Sequence, residues 1–164
     1  MSRTTRQVSE LELLYRRRFR AFARVAISMT GSVESGREAV QEAFARAIEQ
    51  IDSFRGDCPL EAWVWRIVVN TARTAARRAA YEDGDAELEP EPATANGHGD
   101  LQAVQLWVRA LPERQRAVVF LRYWADLDYQ SIADALEIEV GTVSATLNAA
   151  HRSLRRLLQE EVPK

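Results

Sequence analysis

The chain has 164 residues with 46% hydrophobic side chains, and its 22 Lys and Arg against 24 Asp and Glu give a net charge of -2. This length excludes a large multidomain enzyme, and this composition excludes bulk disorder. The single cysteine, Cys58, excludes an intramolecular disulfide framework and a thiolate metal cluster, which fits a reducing compartment. The N-terminus lacks the apolar segment of a secretory signal, and no apolar run approaches the ~18 residues of a membrane span. We therefore expect a soluble, cytoplasmic protein without membrane insertion.

The distribution of charge divides the chain into three segments. Residues 1–80 carry +5, residues 81–100 carry -7 with two prolines and three glycines, and residues 101–164 are neutral. Glycine and proline are scarce overall, with 7 and 5 residues, while the helix-forming residues Ala, Leu, Arg and Glu dominate. We therefore predict an all-α protein with two small helical domains, 1–80 and 101–164, joined by an acidic flexible linker over 81–100.

Start signals predict three helices in the first domain. The capping boxes Ser9-x-x-Glu12 and Ser35-x-x-Glu38 are typical openings of the first and second helices. Pro59 suits the first turn of the third helix. The inward stripe predicted for that third helix consists of Leu60, Trp63, Val64, Ile67 and Thr71.

The second domain begins with two predicted helices and their caps. Asp100 is a candidate cap for a helix over residues 101–110. Pro112 favours a second helix that continues through Trp124. Asp128 is placed to cap the helix that follows.

The remainder of this domain has the apolar spacing of a helix-turn-helix. The pattern Ile132-Ala133-x-x-Leu136-x-Ile138, followed by Val143, places a small residue where two helices cross and leaves a short turn between them. The second of these helices packs one face inward, so its opposite face points outward. The outward residues are Gly141, Ala145, Asn148, Arg152 and Arg156.

Nothing in the sequence supports catalysis. The two histidines, His98 and His151, have no partner at metal-ligand spacing, and the chain has no glycine-rich phosphate loop. We therefore expect no enzyme activity, no metal and no cofactor.

The third helix carries aromatic and polar residues that suit contact with DNA as well as ordinary packing. We expect Trp63 in the core, whereas Trp65, beside Arg66, either packs inside or stacks on unpaired bases. Asn70 either is solvated or bonds the edge of an extruded base. Three arginines occur near the end of this helix, at Arg73, Arg77 and Arg78. Their presence is explained equally well by phosphate contacts and by an ordinary solvated helix end.

Several short segments, in this order and spacing, carry a family resemblance. In the first domain they are Val40-Gln41-Glu42-Ala43-Phe44, Asp52-Ser53-Phe54-Arg55-Gly56 and Trp63-x-x-Arg66-Ile67-x-x-Asn70. In the second domain they are Leu111-Pro112, Val118 to Arg122, Ile132-Ala133 and Val140-Gly141-Thr142-Val143. Over roughly residues 10–80 and 107–160 the chain resembles the extracytoplasmic-function group of bacterial sigma factors, which carry only sigma domains two and four.

The resemblance implies protein partners. It implies that the second helix binds the clamp helices of core RNA polymerase and that the second domain meets the polymerase flap. An anti-sigma protein is expected by family analogy. The acidic linker either is a solvated tether or occupies the positively charged RNA path of the polymerase. The polymerase-binding residues that the resemblance implies are Glu38, Gln41, Glu42, Phe44 and Arg46.

The resemblance also implies contacts with two promoter elements. It assigns the specificity loop and third helix to the minus-10 element, through Phe54, Arg55, Trp65, Arg66, Asn70, Arg73, Arg77 and Arg78. It assigns the last helix to the minus-35 element, through Thr142, Ser144, Ala145, Thr146, Asn148 and Arg152. Opening a duplex costs a few kcal/mol per base step, which a pocket for a flipped base offsets.

Two departures from the family bear on DNA binding. The turn of the helix-turn-helix carries Glu137 and Glu139, where members usually have Gly and Pro, and a non-glycine residue in a left-handed turn costs about 1 kcal/mol. Members usually have Lys or Arg where this chain has Ser144, Thr146, Ala149 and His151. We therefore expect weak minus-35 binding and a promoter choice that depends mainly on the first domain.

The sequence thus predicts an alternative sigma factor that binds core RNA polymerase, recognises two promoter elements and helps to melt the start site. Two alternatives remain open at this point. One is a stand-alone helix-turn-helix transcriptional regulator, and the other is a helical protein-binding adaptor.

Overall fold

The computed structural model describes residues 2–82 and 106–161, and within them it contains helices and no strand. The all-α expectation is confirmed for this part of the chain. Of the predicted linker, only residues 81 and 82 are described, and they close the third helix; Asp100 and residues 101–105 also lie outside the described part. The helices are α1 (Arg3–Thr30), α2 (Val33–Glu49), a 3-10 turn (Ile51–Ser53), α3 (Leu60–Glu82), α4 (Glu113–Tyr123), α5 (Tyr129–Leu136) and α6 (Val140–Glu161), with a short helical segment at 106–109 before α4.

The first two helices begin earlier than the capping boxes predicted. Ser2 caps α1 by accepting a hydrogen bond from the Thr5 backbone N–H, so the start predicted at Ser9 is wrong. Ser9 lies within α1, where its hydroxyl donates to the Thr5 carbonyl oxygen. Ser32 caps α2 by accepting from the Ser35 N–H, so Ser35 is a donor in the first turn and not the cap. A capping-box sequence inside a longer helix does not mark the start of that helix, because an earlier serine already accepts a hydrogen bond from the free backbone amides.

Other local signals lie at or within one residue of the expected place. The third helix begins at Leu60, so Pro59 stands just before its first position and not at it, and the Pro59 carbonyl accepts from the Trp63 N–H. Asp128 caps α5, and its carboxylate accepts from the Ser131 N–H at 2.7 Å. This hydrogen bond lowers the pKa of Asp128, because it favours the ionised carboxylate. Gly31 ends α1 in the left-handed conformation, with φ 77°.

The N-terminal unit is a three-helix packing of α1, α2 and α3 around aromatic side chains. Phe22 lies at its centre, 5.3 Å from the ring of Phe44 on α2 and 4.3 Å from that of Trp65 on α3. Both Phe22 and Trp65 are fully buried. Burying such large apolar surfaces is the main stabilising contribution to a unit of this size.

The inward stripe of α3 differs from the predicted one. Val64 and Thr71 are buried as predicted, but Leu60, Trp63 and Ile67 are only half-buried. Apolar residues surround most of this helix, so periodicity alone did not fix its rotation. The buried positions are Ala62, Val64, Trp65, Val68, Val69, Thr71 and Ala72.

The C-terminal unit has α4 at its centre, with Phe120 and Leu121 buried. Helices α5 and α6 form the predicted helix-turn-helix against it, with Ile132 and Leu147 inside. The turn between them passes through Glu137 at φ 56° and ψ 45°, so the expected left-handed residue is confirmed.

The two units contact each other through α3 and α5. Arg18 on α1 adds a second contact, since its Nη2 donates to the Ala125 carbonyl oxygen at 2.6 Å. Arg18 also pairs with Glu61 on α3, with Nε 2.8 Å from Oε1. Among the residues of 2–82 and 106–161, no helix is long and apolar enough to cross a membrane.

A close crossing of α1 and α2 depends on Gly36. A Cβ atom at this position would lie 2.5 Å from Ile27 Cγ1 and 2.6 Å from the Ile27 backbone N and Cα. Since backbone cannot move aside as a side chain can, we expect Gly36→Ala to lower the free energy of unfolding by about 1–3 kcal/mol. Chemical denaturation of the full chain measures this change.

The matched control is Gly141→Ala. Nothing lies within 4 Å of a Cβ atom built at Gly141, so this variant is expected to be as stable as the wild type or up to ~1 kcal/mol more stable. A similar loss of stability in both variants would show that close helix packing at Gly36 is unimportant.

Candidate functional site

The outer face of α2 is a polar surface in the N-terminal unit. Glu38, Gln41, Glu42 and Arg46 are all exposed, and Glu42 Oε1 accepts from Arg46 Nη2 at 2.5 Å one turn along. Such an exposed pair contributes little to stability, so these residues are free to be used for recognition. The structure thus brings together four of the five residues predicted to bind polymerase.

Phe44 is the exception, and its predicted place on this surface is wrong. Its side chain is only 6% exposed and packs edge-on against Tyr15 and Phe22, with ring centroids 4.9 and 5.3 Å away. Phe44 lies on the opposite side of α2 from Gln41 and Glu42, because the apolar side of the helix must face α1. It supports the polar face from beneath.

The segment between α2 and α3 is fixed at one end of the N-terminal unit. Arg3 on α1 donates to the Phe54 carbonyl oxygen at 3.2 Å, and Thr4 donates to Asp52 Oδ1 at 2.7 Å. The Phe54 ring is half-buried, whereas Arg55 is exposed. The loop therefore presents a cation next to a partly covered aromatic ring.

The two tryptophans of α3 differ in exposure, and Trp63, which was expected in the core, is the more exposed one. Trp65 has no exposed surface, and its indole Nε1 donates to Glu61 Oε1 at 3.4 Å, so the prediction that it stacks on DNA bases is wrong. Trp63 is half-buried, and its ring lies 5.2 Å from that of Phe54 beside the loop. The rotation of α3 against α1 and α2 decides which indole turns inward, so Trp63 is the tryptophan of α3 that keeps exposed surface.

A polar stripe runs along α3 beyond Trp63. Its members are Arg66, Asn70, Arg73 and Arg77, spaced three or four residues apart on one side of the helix. Asn70 and Arg77 are exposed, as is Arg78 next to them, whereas Arg66 and Arg73 are half-buried. An amide flanked by guanidinium groups can bond a base edge while phosphates are held on both sides.

The half-buried arginines of this stripe contact the C-terminal unit. Arg66 Nη2 and Nε donate to the Asp134 carbonyl oxygen at 2.7 and 3.2 Å, and Arg66 Nη1 lies 3.3 Å from Glu137 Oε1. Arg73 Nε lies 2.6 Å from Glu113 Oε1 on α4. Sequence reasoning missed these pairs, because their members are far apart along the chain.

The outward face of α6 is arranged as predicted. Ala145, Asn148 and Arg152 are exposed, and Arg156 extends the same side. Thr142, Ser144 and Thr146 are half-buried at its edges, and the Thr146 hydroxyl donates to the Thr142 carbonyl oxygen at 2.7 Å. This surface carries mostly small side chains beside its arginines, so it suits shape-dependent or water-mediated contacts in a groove.

No group of three or more potential metal ligands is found among the described residues.

Both halves of the chain match known families. Residues 14–81 match Sigma-70 region 2, and residues 101–157 match Sigma-70, region 4. The first match covers the loop, the polar stripe of α3 and the outer face of α2. The second covers the helix-turn-helix.

Relatives match across both halves. The chain is 33% identical over 140 residues to the ECF RNA polymerase sigma-E factor of Escherichia coli, which covers 74% of this chain and 73% of that protein. It is 31% identical over 145 residues to the ECF RNA polymerase sigma factor EcfG of Rhodopseudomonas palustris, covering 85% and 78%. It is 29% identical over 143 residues to the RNA polymerase sigma-H factor of Pseudomonas aeruginosa, covering 77% and 74%.

Solved structures share the fold. CnrH, solved in complex with the cytosolic domain of CnrY, superposes with a TM-score of 0.74 at 24% identity, covering 97% of this chain and 96% of that one. The sigma factor RpoE from Bartonella quintana, solved with the anti-sigma factor NepR, gives 0.73 at 24% identity, covering 94% and 97%.

The different exposure of Trp63 and Trp65 leads to a test of their separate roles. We expect Trp65→Ala to lower the free energy of unfolding by about 3–5 kcal/mol, as for other buried tryptophans. Trp63→Ala should cost less than ~2 kcal/mol, because that ring is partly exposed, but it should weaken binding to single-stranded DNA. Chemical denaturation and fluorescence anisotropy measure the two effects. A well-folded Trp63→Ala variant with unchanged DNA affinity would contradict the stacking role.

Proposed function

We propose that the two helical units of this chain have different roles in one task. The chain belongs to the extracytoplasmic-function group of bacterial sigma-70 factors, and it directs RNA polymerase to promoters. Members of this family are initiation factors without enzyme activity. The match of residues 14–81 to region 2 favours this identity over a stand-alone helix-turn-helix regulator or an adaptor. The division that we propose is residues 1–80 for polymerase and minus-10 DNA, 81–100 as a linker, and 101–164 for minus-35 DNA.

The observation that carries the assignment of the first unit is the position of Asn70. Its side chain is exposed in the middle of the polar stripe of α3, between Arg66 and Arg73. Trp63 and the loop at Phe54 lie at the end of the stripe nearest α1. An exposed amide two turns along the helix from a partly exposed aromatic ring can receive a base that has left the duplex, and the arginines can bind the phosphates on either side.

The outer face of α2 is the surface that we assign to the clamp helices of core polymerase. Four side chains on this face are exposed to solvent, namely those of Glu38, Gln41, Glu42 and Arg46. The face points away from the interior that Val40 and Phe44 fill. Core binding and promoter binding thus use different helices of one rigid unit, so each can be altered separately.

Helix α6 is the element that we assign to the minus-35 duplex. Asn148 can read a base edge and Arg152 can bind phosphate, since both are exposed on its outer face. Few cations accompany them on that face, which supports weak binding by this unit and a promoter choice that depends mainly on the first one.

The proposed setting is the cytoplasm, where polymerase acts, and the proposed regulator is an anti-sigma protein. RpoE of Bartonella quintana was solved with the anti-sigma factor NepR, and CnrH with the cytosolic domain of CnrY. The shared fold supports the same class of partner for this chain.

The polymerase-binding role of α2 is tested by Gln41→Ala combined with Glu42→Lys. We expect core polymerase binding to weaken at least tenfold and promoter-dependent transcription to fall with it, because the charge of the exposed face is reversed. The free energy of unfolding should change by less than ~0.5 kcal/mol, as for other exposed sites. Co-purification with core polymerase and run-off transcription measure the outcome.

Glu12→Lys on α1 is the matched control. Glu12 is exposed and pairs with Arg16 at 2.7 Å one turn along, as Glu42 does with Arg46, but it lies away from the outer face of α2. It should leave core binding unchanged. Equal binding by the control and the α2 variant would remove the assignment of this face.

Promoter melting is tested by Asn70→Ala. This change removes a base contact and no subunit contact, so assembly with core polymerase should be normal while open-complex formation falls about tenfold or more. Permanganate footprinting of thymines near the start site measures opening. Normal thymine reactivity in the variant would show that Asn70 holds no flipped base.

A further inference from the structure

The loop between α2 and α3 is tied to the first turn of α1. The Thr4 hydroxyl donates to Asp52 Oδ1 at 2.7 Å, and Arg3 Nη2 donates to the Phe54 carbonyl oxygen at 3.2 Å. In the described part of the chain, these two hydrogen bonds are the ones that join residues 52–57 to a helix distant in sequence. The other hydrogen bonds of the loop are local to its 3-10 turn. The loop therefore depends on α1 for its attachment.

The loop has little support of its own. Every residue from 52 to 57 except Phe54 is exposed. Gly56 has φ 81°, and nothing lies within 4 Å of a Cβ atom built on it. A binding group on a loop is held less precisely than one on a helix unless neighbouring hydrogen bonds support it. Contacts from outside the loop thus decide its position.

The Arg3 hydrogen bond acts on the peptide group that precedes Arg55. The Phe54 carbonyl belongs to the planar peptide that joins Phe54 to Arg55, so a donor on this oxygen fixes the plane from which the next residue departs. The Phe54 ring packs on α3, with its centroid 5.2 Å from that of Trp63. Helices α1 and α3 together therefore determine the direction of the aromatic ring and the guanidinium group of the loop.

This contact lies outside the residues that match Sigma-70 region 2. The match begins at residue 14, whereas Arg3 and Thr4 belong to the first turn of α1. That turn forms because Ser2 caps the helix through the Thr5 N–H. The early turns of α1 thus supply an attachment for the loop that the family match does not account for.

We propose that Thr4 and Arg3 are positioning residues for base selection, which hold the loop so that Phe54 and Arg55 face the flipped base of the minus-10 element. This inference rests on the proposed role of the loop in binding minus-10 DNA. A binding group has to stay within about 0.5 Å of its productive position to discriminate between partners. Loss of these hydrogen bonds therefore lowers the discrimination between bases, while the polymerase-binding face of α2, on another helix, is unchanged.

Hydrogen exchange measures the attachment of the loop directly. Thr4→Val removes the hydroxyl and keeps the branched shape of the side chain. The amides of Ser53 and Phe54, which are hydrogen-bonded in the 3-10 turn, should then exchange about two- to tenfold faster in the full chain. Thr5→Val is the matched control, because the Thr5 hydroxyl lies in the same turn and contacts Ser2 Oγ at 2.8 Å. Equal exchange of the two amides in both variants would overturn the positioning role.

Transcription by the reconstituted holoenzyme measures base selection. The wild type first selects its preferred sequence from a promoter pool randomised at the minus-35 and minus-10 elements. Open-complex formation is then compared between that sequence and its single-base changes in the minus-10 element. We expect Thr4→Val to reduce the preference about three- to tenfold at one or more positions, with normal binding to core polymerase. Thr4→Ser keeps the hydroxyl, so it should retain the wild-type preference.

A purely structural role of Thr4 predicts a different result. The unfolding midpoint of Thr4→Val would then fall while the preference between bases stayed at the wild-type value, and this outcome would overturn the proposal. Asp52→Ala removes the acceptor of the same hydrogen bond, so it should reduce the preference as Thr4→Val does. The double variant should be no worse than either single variant. Additive losses would show that this hydrogen bond does not carry the effect.

Arg3→Ala separates positioning from a direct phosphate contact. As a positioning residue, Arg3 affects the preference between bases and leaves the salt dependence of DNA binding unchanged. A phosphate contact would instead weaken binding to all sequences equally and reduce the salt dependence. That uniform loss would overturn the role proposed for Arg3.

Arg55→Ala tests the proposed function of the loop independently. Arg55 is exposed and forms no ion pair with a described residue, so its loss should not disturb the fold. Reduced base preference in both Arg55→Ala and Thr4→Val supports the loop assignment and its positioning by α1. Reduced preference in Arg55→Ala alone overturns only the positioning by α1. The wild-type preference in both variants overturns the assignment of the loop to minus-10 DNA.

Discussion

Helix α3 buries one side in the core and carries its polar residues on the other, and the rest of the structure depends on this division. Val64, Trp65 and Val68 have no exposed surface and pack against α1 and α2. The opposite side carries Asn70 and the arginine stripe. Since both sets belong to one rigid helix, the packing of Trp65 on Phe22 also fixes the direction in which the stripe points. A change that rotated α3 would therefore disturb the core and the binding surface together.

The interactions within each unit and those between the units differ in strength. Within the units, large apolar side chains such as Phe22 and Phe120 are removed from water, and each contributes several kcal/mol that salt does not weaken. Between the units, the named contacts are hydrogen bonds and half-exposed ion pairs made by Arg18, Arg66 and Arg73. Such contacts are weak singly and are replaceable by phosphates. The contacts between the units are thus more sensitive to salt than the core of either unit.

Charge is distributed according to what each surface has to bind. The arginines of α3 suit a phosphate backbone. On the outer face of α2, by contrast, the acidic residues Glu38 and Glu42 lie beside Arg46. The outer face of α6 carries small side chains, and its cation Arg152 lies well along the helix. The exposed arginines of α3 thus outnumber the cations on the outer face that α6 presents through Ala145, Asn148 and Arg152.

The sequence by itself determined the helical class, the helix-turn-helix, the cap at Asp128 and the outward faces of α2 and α6, because these depend on side-chain spacing and on hydrogen bonds a few residues away. It did not determine the rotation of α3, which is apolar on most sides, so Trp63 was expected in the core and the position of Trp65 stayed open. The resemblance also listed Phe44 among the polymerase-binding residues, although its ring is buried beneath the polar surface of α2. Only the tertiary structure paired Arg66 with Glu137 and Arg73 with Glu113, since contacts between residues so far apart in the chain are decided by how the helices pack and leave no periodic signal.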